Sequence, residues 1–316
     1  MGKKLVIFGG GGFIGGNLAQ VARQKGWEVY VIDSRPRLQP EWRRADISNR
    51  HSVDEVIRAI SPDAVVNVAA IADIDQAEQD KELAHRVNVD GARYIAESCS
   101  SRGIRYVFFS SDAVFDGEGS RYSEDDEPAP VNYYGRTKME AEKAVLEAYP
   151  RAVIVRISLV LGFPVAEGNS LFANLLGKLK EKKDLAYPID EIRTPVDVLT
   201  LSECVLELCE SDFFGVIHIG ATDSVSRYDL VRKLTGRFGY DEERIIPQTL
   251  PKVNPGRAPR HKNGILSVAK AESVLKTRLL STEEGIQRAL IGRERTDQEA
   301  EEEDRIISDD QASSKV

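Results

Sequence analysis

The chain has 316 residues, 41% of them hydrophobic and 30% charged, a composition that suits a globular protein with one large core or two modest ones. A formal charge of −8 disfavours nucleic acid or an anionic membrane as the main partner, and no apolar run approaches the roughly 20 residues that span a bilayer. Much of that charge is local, because 293–316 holds nine acids against four bases, a net of −5, and has no apolar period, so an acidic, disordered tail is expected there. Leu5 to Phe8 is too short for a signal-peptide core. Cys99, Cys204 and Cys209 lack metal-ligand spacing, so buried free thiols and a reducing, cytoplasmic compartment are expected, with no metal site.

In chain order, the apolar run Lys4-Leu5-Val6-Ile7 predicts a strand that enters the turn Phe8 to Gly15, where Gly9, Gly12 and Gly15 stand in G-x-x-G-x-x-G spacing before a helix. The first glycine permits the turn, the second lets a pyrophosphate approach the backbone, and the third lets helix and strand pack closely. The helix start, with Phe13 and Ile14, offers free N–H groups to phosphate. Trp27 to Ile32 predicts a second strand ending at Asp33, 18 residues after Gly15, placed to hold an adenosine ribose hydroxyl and to repel a 2′-phosphate. Ser34, Arg35 and Arg37 follow, and the two arginines read equally as phosphate partners or as solvated loop charges, so NAD and NADP both stay open. Asp46 and Ile47 precede a helix over 52–60. Ala64 to Val68 predicts a third strand, with Ala69, Ala70 and Ile71 at its carboxyl end small or apolar enough for a cofactor to lie against.

A long helical pattern runs over 81–102, and Tyr106 to Phe109 predicts a fourth strand ending at Ser110-Ser111-Asp112. After an acidic loop, a helix opening near Asn132 carries Tyr134 and Lys138, four apart and hence on one face. An ammonium group beside a phenol stabilises the phenolate and is expected to lower its pKa, while Ser111 can hydrogen-bond a substrate carbonyl. Val153 to Ile157 predicts a fifth strand. Further helices are expected over 170–182 and 199–210, a strand over 215–219, a loop from Pro247 to Lys262, and two short helices at the end. Alternating strands and helices imply an α/β fold, a Rossmann-type doubly wound parallel sheet, with ligands at the carboxyl ends of the strands. The expected domains are 1–160 for the dinucleotide, with returning segments near 197–220 and 265–275, and a smaller C-terminal α/β substrate domain over 161–292.

With these residues in place, the chain resembles the extended short-chain dehydrogenases/reductases, and within them the dTDP-4-dehydrorhamnose reductases and their relatives. The likeness rests on Asn67-Val68-Ala69-Ala70, Val87-Asn88, Ser111 to Gly117, Asn132 to Lys138, Arg193-Thr194-Pro195-Val196 and Arg260 to Leu266. It implies an NADPH- or NADH-dependent reduction of the 4-keto group of a nucleotide-linked 6-deoxysugar. Ser111, Tyr134 and Lys138 would be catalytic, Asn88 would hold a relay water, and Asp112, Val114, Leu159 and Arg260 would meet the substrate, Arg260 at its diphosphate. Helices around Arg93 and Glu142 could pair in a homodimer. The chain departs from the usual pattern at Leu159, where an aromatic is customary, and at His261 and Gly264, where proline and serine are. Two other functions use similar parts: a nucleotide-sugar 4-epimerase that retains its NAD, and a regulatory subunit resembling the β-subunit of methionine adenosyltransferase. A 4,6-dehydratase is disfavoured because Ala113 stands where a glutamate is needed.

Overall fold

The structure is a computed structural model that describes residues 2–35, 42–165, 168–181, 183–250 and 256–292. Arg37 and the acidic tail lie outside the described residues. The first half builds the sheet: β1 (Lys4–Phe8), α1 (Phe13–Gln24), β2 (Glu28–Asp33), β3 (Trp42–Arg44), α2 (Arg50–Ile60), β4 (Ala64–Asn67), α3 (Ile74–Gln79), α4 (Lys81–His85), α5 (Gly91–Ser100), β5 (Arg105–Ser111), α6 (Tyr133–Ala148) and β6 (Val153–Ile157). Beyond it come β7 (Val160–Leu161), α7 (Leu171–Leu179), β8 (Leu185–Pro188), β9 (Ile192–Arg193), β10 (Val196–Asp197), α8 (Val198–Glu210), β11 (Gly215–Ile219), β12 (Val225–Ser226), α9 (Arg227–Arg237), β13 (Ile245–Gln248), β14 (Asn263–Gly264) and α10 (Ala269–Val274).

Seven parallel strands lie in the order β11-β6-β5-β4-β1-β2-β3, so the winding reverses at β1 and β4, where open sheets of this kind bind ligands. The apolar runs are continuous because both faces are covered. Leu5 and Ile7 of β1 join the cluster under α1 and α8, while Val6 and Phe8 join the one under α2 and α5. β11 returns to the sheet edge beside β6, and Val268, Ala271 and Leu275 of the α10 region pack into the α1–α8 cluster. A separate apolar cluster joins Phe172 and Leu175 of α7 to Leu230 and Leu234 of α9 and to Ile245.

Several features differ from the sequence expectations, first among them the edge strand β3, which no apolar run announced. The long 81–102 helix contains a π-helical turn over Arg86–Asp90, between α4 and α5. The stretch expected to be loop from Pro247 begins inside β13, which pairs with β8 because Ile245 is buried there. Two helices were unforeseen, α3 and α9. α3 is short and capped by Asp73, and α9 is largely polar with few buried positions. Among the described residues no helix is long and apolar enough to cross a membrane, no group of His, Cys, Asp or Glu could hold a metal ion, and all three cysteines are buried and free.

Candidate active site

At the carboxyl edge of the sheet two clefts of about 610 Å³ each run side by side and share Phe13, Ile14, Val68 and Ala70 on their walls. The first gathers the dinucleotide residues read from the sequence: Gly9, Gly12, Phe13, Ile14 and Gly15 from the turn, Asp33, Ser34 and Arg35 after β2, Asp46 and Ile47 before α2, and Ala69, Ala70 and Ile71 after β4. Gly9 has φ +79°, and a Cβ there would stand 2.5 Å from Ala69 N, so only glycine lets the turn cross β4. A Cβ on Gly15 would meet Gly9 O at 2.5 Å, which is the close helix–strand approach the spacing predicted. Gly12 is different. A Cβ there finds only Gly9 O, at 3.5 Å, so the protein itself leaves room and the glycine serves whatever approaches from the cleft. Gly12 also starts α1 without a side-chain cap, leaving its first N–H groups turned to that approach. These residues fit a dinucleotide pyrophosphate. Leu83, Arg86 and Val87 close the far wall, residues that the helix pattern alone gave no reason to choose.

The second cleft brings Ser111, Tyr134 and Lys138 together with Leu159 and Arg260. Asn132 caps α6 by accepting from Gly135 N at 2.9 Å, which fixes the helix start at Tyr133. A Cβ on Gly135 would overlap Ala113 O at 2.0 Å, so α6 reaches the Ser111 turn only through this glycine. Ser111 Oγ accepts from Ala113 N at 3.2 Å and donates to Asp112 Oδ1 at 3.1 Å. Lys138 is buried, with Nζ donating to Phe109 O at 2.9 Å and standing 6.0 Å from the Tyr134 ring centre.

The electrostatics correct one expectation. Tyr134 keeps part of its surface open to the cleft, yet burial pushes its phenol up to about 12, with the Ser111 hydroxyl opposing the rise. Lys138 does not pull it down, because the ammonium faces the Phe109 carbonyl. Burial lowers Lys138 itself to about 8, against the pull of the Glu142 charge.

The other predicted substrate residues divide. Arg260 lies on the wall, but its guanidinium is engaged by Asp75 at 3.0 Å and by Ala258 O at 2.7 Å. Asp112 and Val114 lie behind the wall, Asp112 in a buried polar cluster and Val114 packed with Phe115, Tyr122 and Leu266. Asn88 sits in the π-turn, 1% exposed, and spends its amide on structure: Oδ1 accepts from Ile71 N at 2.8 Å, while Nδ2 donates to Ile71 O at 3.2 Å and Thr137 Oγ1 at 2.9 Å. Glu142, named as a dimer marker, points inward and is bound by Arg156 through two contacts of 2.9 and 2.7 Å. Arg227, at the start of α9, lines this second cleft with no side-chain hydrogen bond or ion pair among the described residues, and Lys178 and Tyr187 stand there too. Nothing in the sequence pattern singled out these three, because α7, β8 and α9 carry no motif.

A parallel sheet wound in this order, with a glycine turn at its reversal and Ser111, Tyr134 and Lys138 beside it, defines a dinucleotide-dependent oxidoreductase of the short-chain dehydrogenase/reductase type. Residues 3–293 match the sequence model of the family described as the RmlD substrate binding domain, and the chain belongs to that family. Among its relatives is the dTDP-4-dehydrorhamnose reductase of Mycobacterium tuberculosis, 31% identical over 271 residues that cover 84% of this chain and 85% of the relative. The crystal structure of dTDP-4-dehydrorhamnose reductase from Bacillus anthracis in complex with NADP superposes with a TM-score of 0.83 at 27% identity, covering 92% of this chain and all of that one. Methionine adenosyltransferase 2 subunit beta of Pongo abelii is also similar, at 26% identity over 86% of this chain and 82% of its own length.

Proposed function

We propose that this chain reduces the 4-keto group of a nucleotide-linked 6-deoxysugar, as the names of its reductase relatives indicate for them, with NADPH or NADH as the reductant. The observation that carries the reading is the meeting of Ser111, Tyr134 and Lys138 on one wall that runs into the glycine-turn cleft. The reduced nicotinamide, when bound, supplies the hydride that reaches the carbonyl carbon. Tyr134 Oη gives its proton to the carbonyl oxygen, so that C=O becomes CH–OH; a phenol at about 12 holds that proton until the arriving hydride has built charge on the oxygen. Ser111 Oγ donates a hydrogen bond that holds the oxygen in place, and Lys138 turns from Phe109 O toward Tyr134 for its charge to steady the phenolate once the proton has left. Arg227 and Arg260, on the sugar-side wall, are the cations suited to the substrate's diphosphate.

The intact trio sets catalysis above a purely binding role of the kind the methionine adenosyltransferase subunit suggests. A reducing, cytoplasmic setting belongs to the same proposal and is supported by three free, buried thiols. So does a homodimer through the outer faces of α5 and α6, which a sedimenting species of 35.1 kDa would overturn.

The test mixes the protein with NADPH or NADH and a panel of nucleotide 4-keto-6-deoxysugars, beginning with dTDP-4-dehydrorhamnose, and follows cofactor absorbance. Tyr134→Phe is expected to lower kcat about 10²–10⁴-fold with cofactor affinity unchanged. If cofactor binds but no sugar consumes it, and Tyr134→Phe alters nothing, the enzymatic reading is lost. Cofactor that stays bound through purification, with epimerised sugar as product, would instead mark a 4-epimerase.

A further inference from the structure

Behind Ser111 lies a polar cluster that packing alone does not explain. The Asp112 carboxylate accepts from Ser111 through Oδ1, and its Oδ2 takes three partners: Ser158 Oγ at 2.7 Å, Arg193 Nε at 3.2 Å and His261 Nε2 at 3.3 Å. Asp112, Arg193 and His261 are 6%, 5% and 4% exposed. Neither ring nitrogen of His261 has a hydrogen bond in protein geometry, so the contact with Asp112 is the imidazole's one polar use among the described residues. A buried imidazole left so poorly paired costs stability, and an apolar residue would fill the space at less cost.

Room for the ring is made deliberately by a second residue. A Cβ on Gly264 would stand 2.4 Å from Asp112 Oδ2 and 2.8 Å from His261 Nε2. The small sheet β12-β9-β14 brings Gly264 beside Arg193, whose Nη2 in turn donates to His261 O at 3.0 Å. The two departures from the usual pattern, histidine at 261 and glycine at 264, are therefore one arrangement: the glycine vacates the volume through which the histidine reaches the carboxylate.

We propose that His261 is a positioning residue for Ser111, acting through Asp112; the proposal rests on the carbonyl-holding role given to Ser111 above. Ser111 has one O–H, which the structure directs at Asp112 Oδ1. In the reaction that hydrogen must turn to the sugar carbonyl oxygen, and the tighter Asp112 holds it the less it is available. Arg193 and His261 draw the carboxylate's charge to the Oδ2 side. Burial alone would raise the Asp112 carboxyl, but its contacts with His261, Arg193 and Ser158 outweigh it and keep the group ionised, at about 2. Remove the imidazole and the charge leans on Ser111, which then keeps its proton from the substrate.

The test compares wild type, Ser111→Ala, His261→Ala, His261→Gln, Gly264→Ala and the Ser111→Ala/His261→Ala double variant in two measurements. In steady-state kinetics with NADPH and dTDP-4-dehydrorhamnose, His261→Ala should lower kcat about tenfold with KM changed less than about twofold. The same change in the Ser111→Ala background should cost nothing further, since the route through Ser111 is already gone. Gly264→Ala, whose methyl would press on both the carboxylate and the ring, should lower kcat at least as far as His261→Ala, and His261→Gln, which keeps a donor, should recover most of kcat. The second measurement needs no substrate. In free protein carrying tyrosine labelled with ¹³C at Cζ, the Tyr134 resonance, assigned with Tyr134→Phe, should move in His261→Ala in the direction it moves in Ser111→Ala. Losses that multiply in the double variant, or a Tyr134 resonance unmoved in folded His261→Ala, overturn the proposal. If His261→Ala does not fold, Gly264→Ala and His261→Gln decide by the same criteria. If wild type reduces no sugar while the resonance shifts agree, the sugar-reductase reading falls and the positioning of Ser111 by His261 stands.

Discussion

Lys138 shows how far a residue's neighbours can alter what its spacing promises. Four positions from Tyr134 on one helix, it was expected to lower the phenol, and burial instead raises the phenol and depresses the lysine. With its pKa brought from the ordinary 10.5 to about 8, Lys138 is charged below that pH and neutral above it. Turnover that depends on the charge should therefore fall as pH rises through about 8, and Lys138→Arg should abolish that limb of the pH–rate profile while lowering kcat, because guanidinium stays charged. The stability consequence has the opposite sense. Between about 8 and 10.5 the unfolded chain holds this proton and the folded one does not, so folding stability rises with pH across that window and buried Lys138 is a cost at neutrality. Lys138→Met should accordingly raise Tm as it removes activity, and an unchanged or lower Tm by calorimetry would count against it. At the adenosine end, Asp33 Oδ1 accepts from Arg35 N at 3.0 Å and lies 3.4 Å from Arg35 Nε. The carboxylate thus lines the glycine-turn cleft and at the same time pairs with the arginine that would welcome a 2′-phosphate. Asp33→Ser should raise the kcat/KM ratio of NADPH over NADH by about tenfold, and an unmoved ratio would show that Asp33 does not read the ribose.

The start of the helix that carries Tyr134 and Lys138 is fixed by two local features. α6 is placed by the Asn132 cap and by the missing side chain of Gly135, and both are visible in the sequence as Asn-Tyr-Tyr-Gly. Gly135→Ala gains helix propensity yet must drive a methyl into Ala113 O, so it should destabilise by about 1–3 kcal/mol in urea unfolding and displace Tyr134 from Ser111, with kcat lost as well. An alanine variant as stable and as active as wild type would refute the steric argument. The π-turn over Arg86–Asp90 was not legible, since apolar spacing over 81–102 fits one uninterrupted helix. Its effect is local and useful. The extra residue in the turn swings Asn88 inward to fix the backbone of Ile71, part of the wall of the glycine-turn cleft, and π-turns are frequent at functional sites.

Across the molecule, the central sheet and the helix that carries Tyr134 and Lys138 are tied by buried polar pairs that sequence periodicity cannot reveal. Glu142 on α6 and Arg156 on β6 form a bidentate pair with side chains 7% and 4% exposed, and Ser110 and His218 close the same group. Breaking one partner of a buried pair leaves a lone charge in the core. Glu142→Gln should cost about 3–5 kcal/mol in urea unfolding, and a loss below about 1 kcal/mol would show the pair to be dispensable. The same residue illustrates the limit of linear reading. Glu142 marked a helix expected to pair in a homodimer, and the position of β6 makes the residue itself a core residue.

What the sequence determined by itself was the winding of the sheet, the glycine turn and the edge on which ligands gather, because each follows from local chemistry: apolar runs, turn glycines, an acid at a strand end. The residues from Gly9 to Ile71 read as dinucleotide contacts all fall in one cleft for that reason, and Ser111, Tyr134 and Lys138 in the next. Tertiary structure alone decided which polar groups are spent on the fold and which face the cleft. Asn88, Asp112 and Glu142 went to the fold, Arg227 to the wall, and His261 to the carboxylate behind Ser111. The physical reason is that a polar side chain's role is set by its partner, and here each partner arrives from far along the chain, brought by strand pairing and helix packing that leave no mark on the residue's own neighbourhood in sequence.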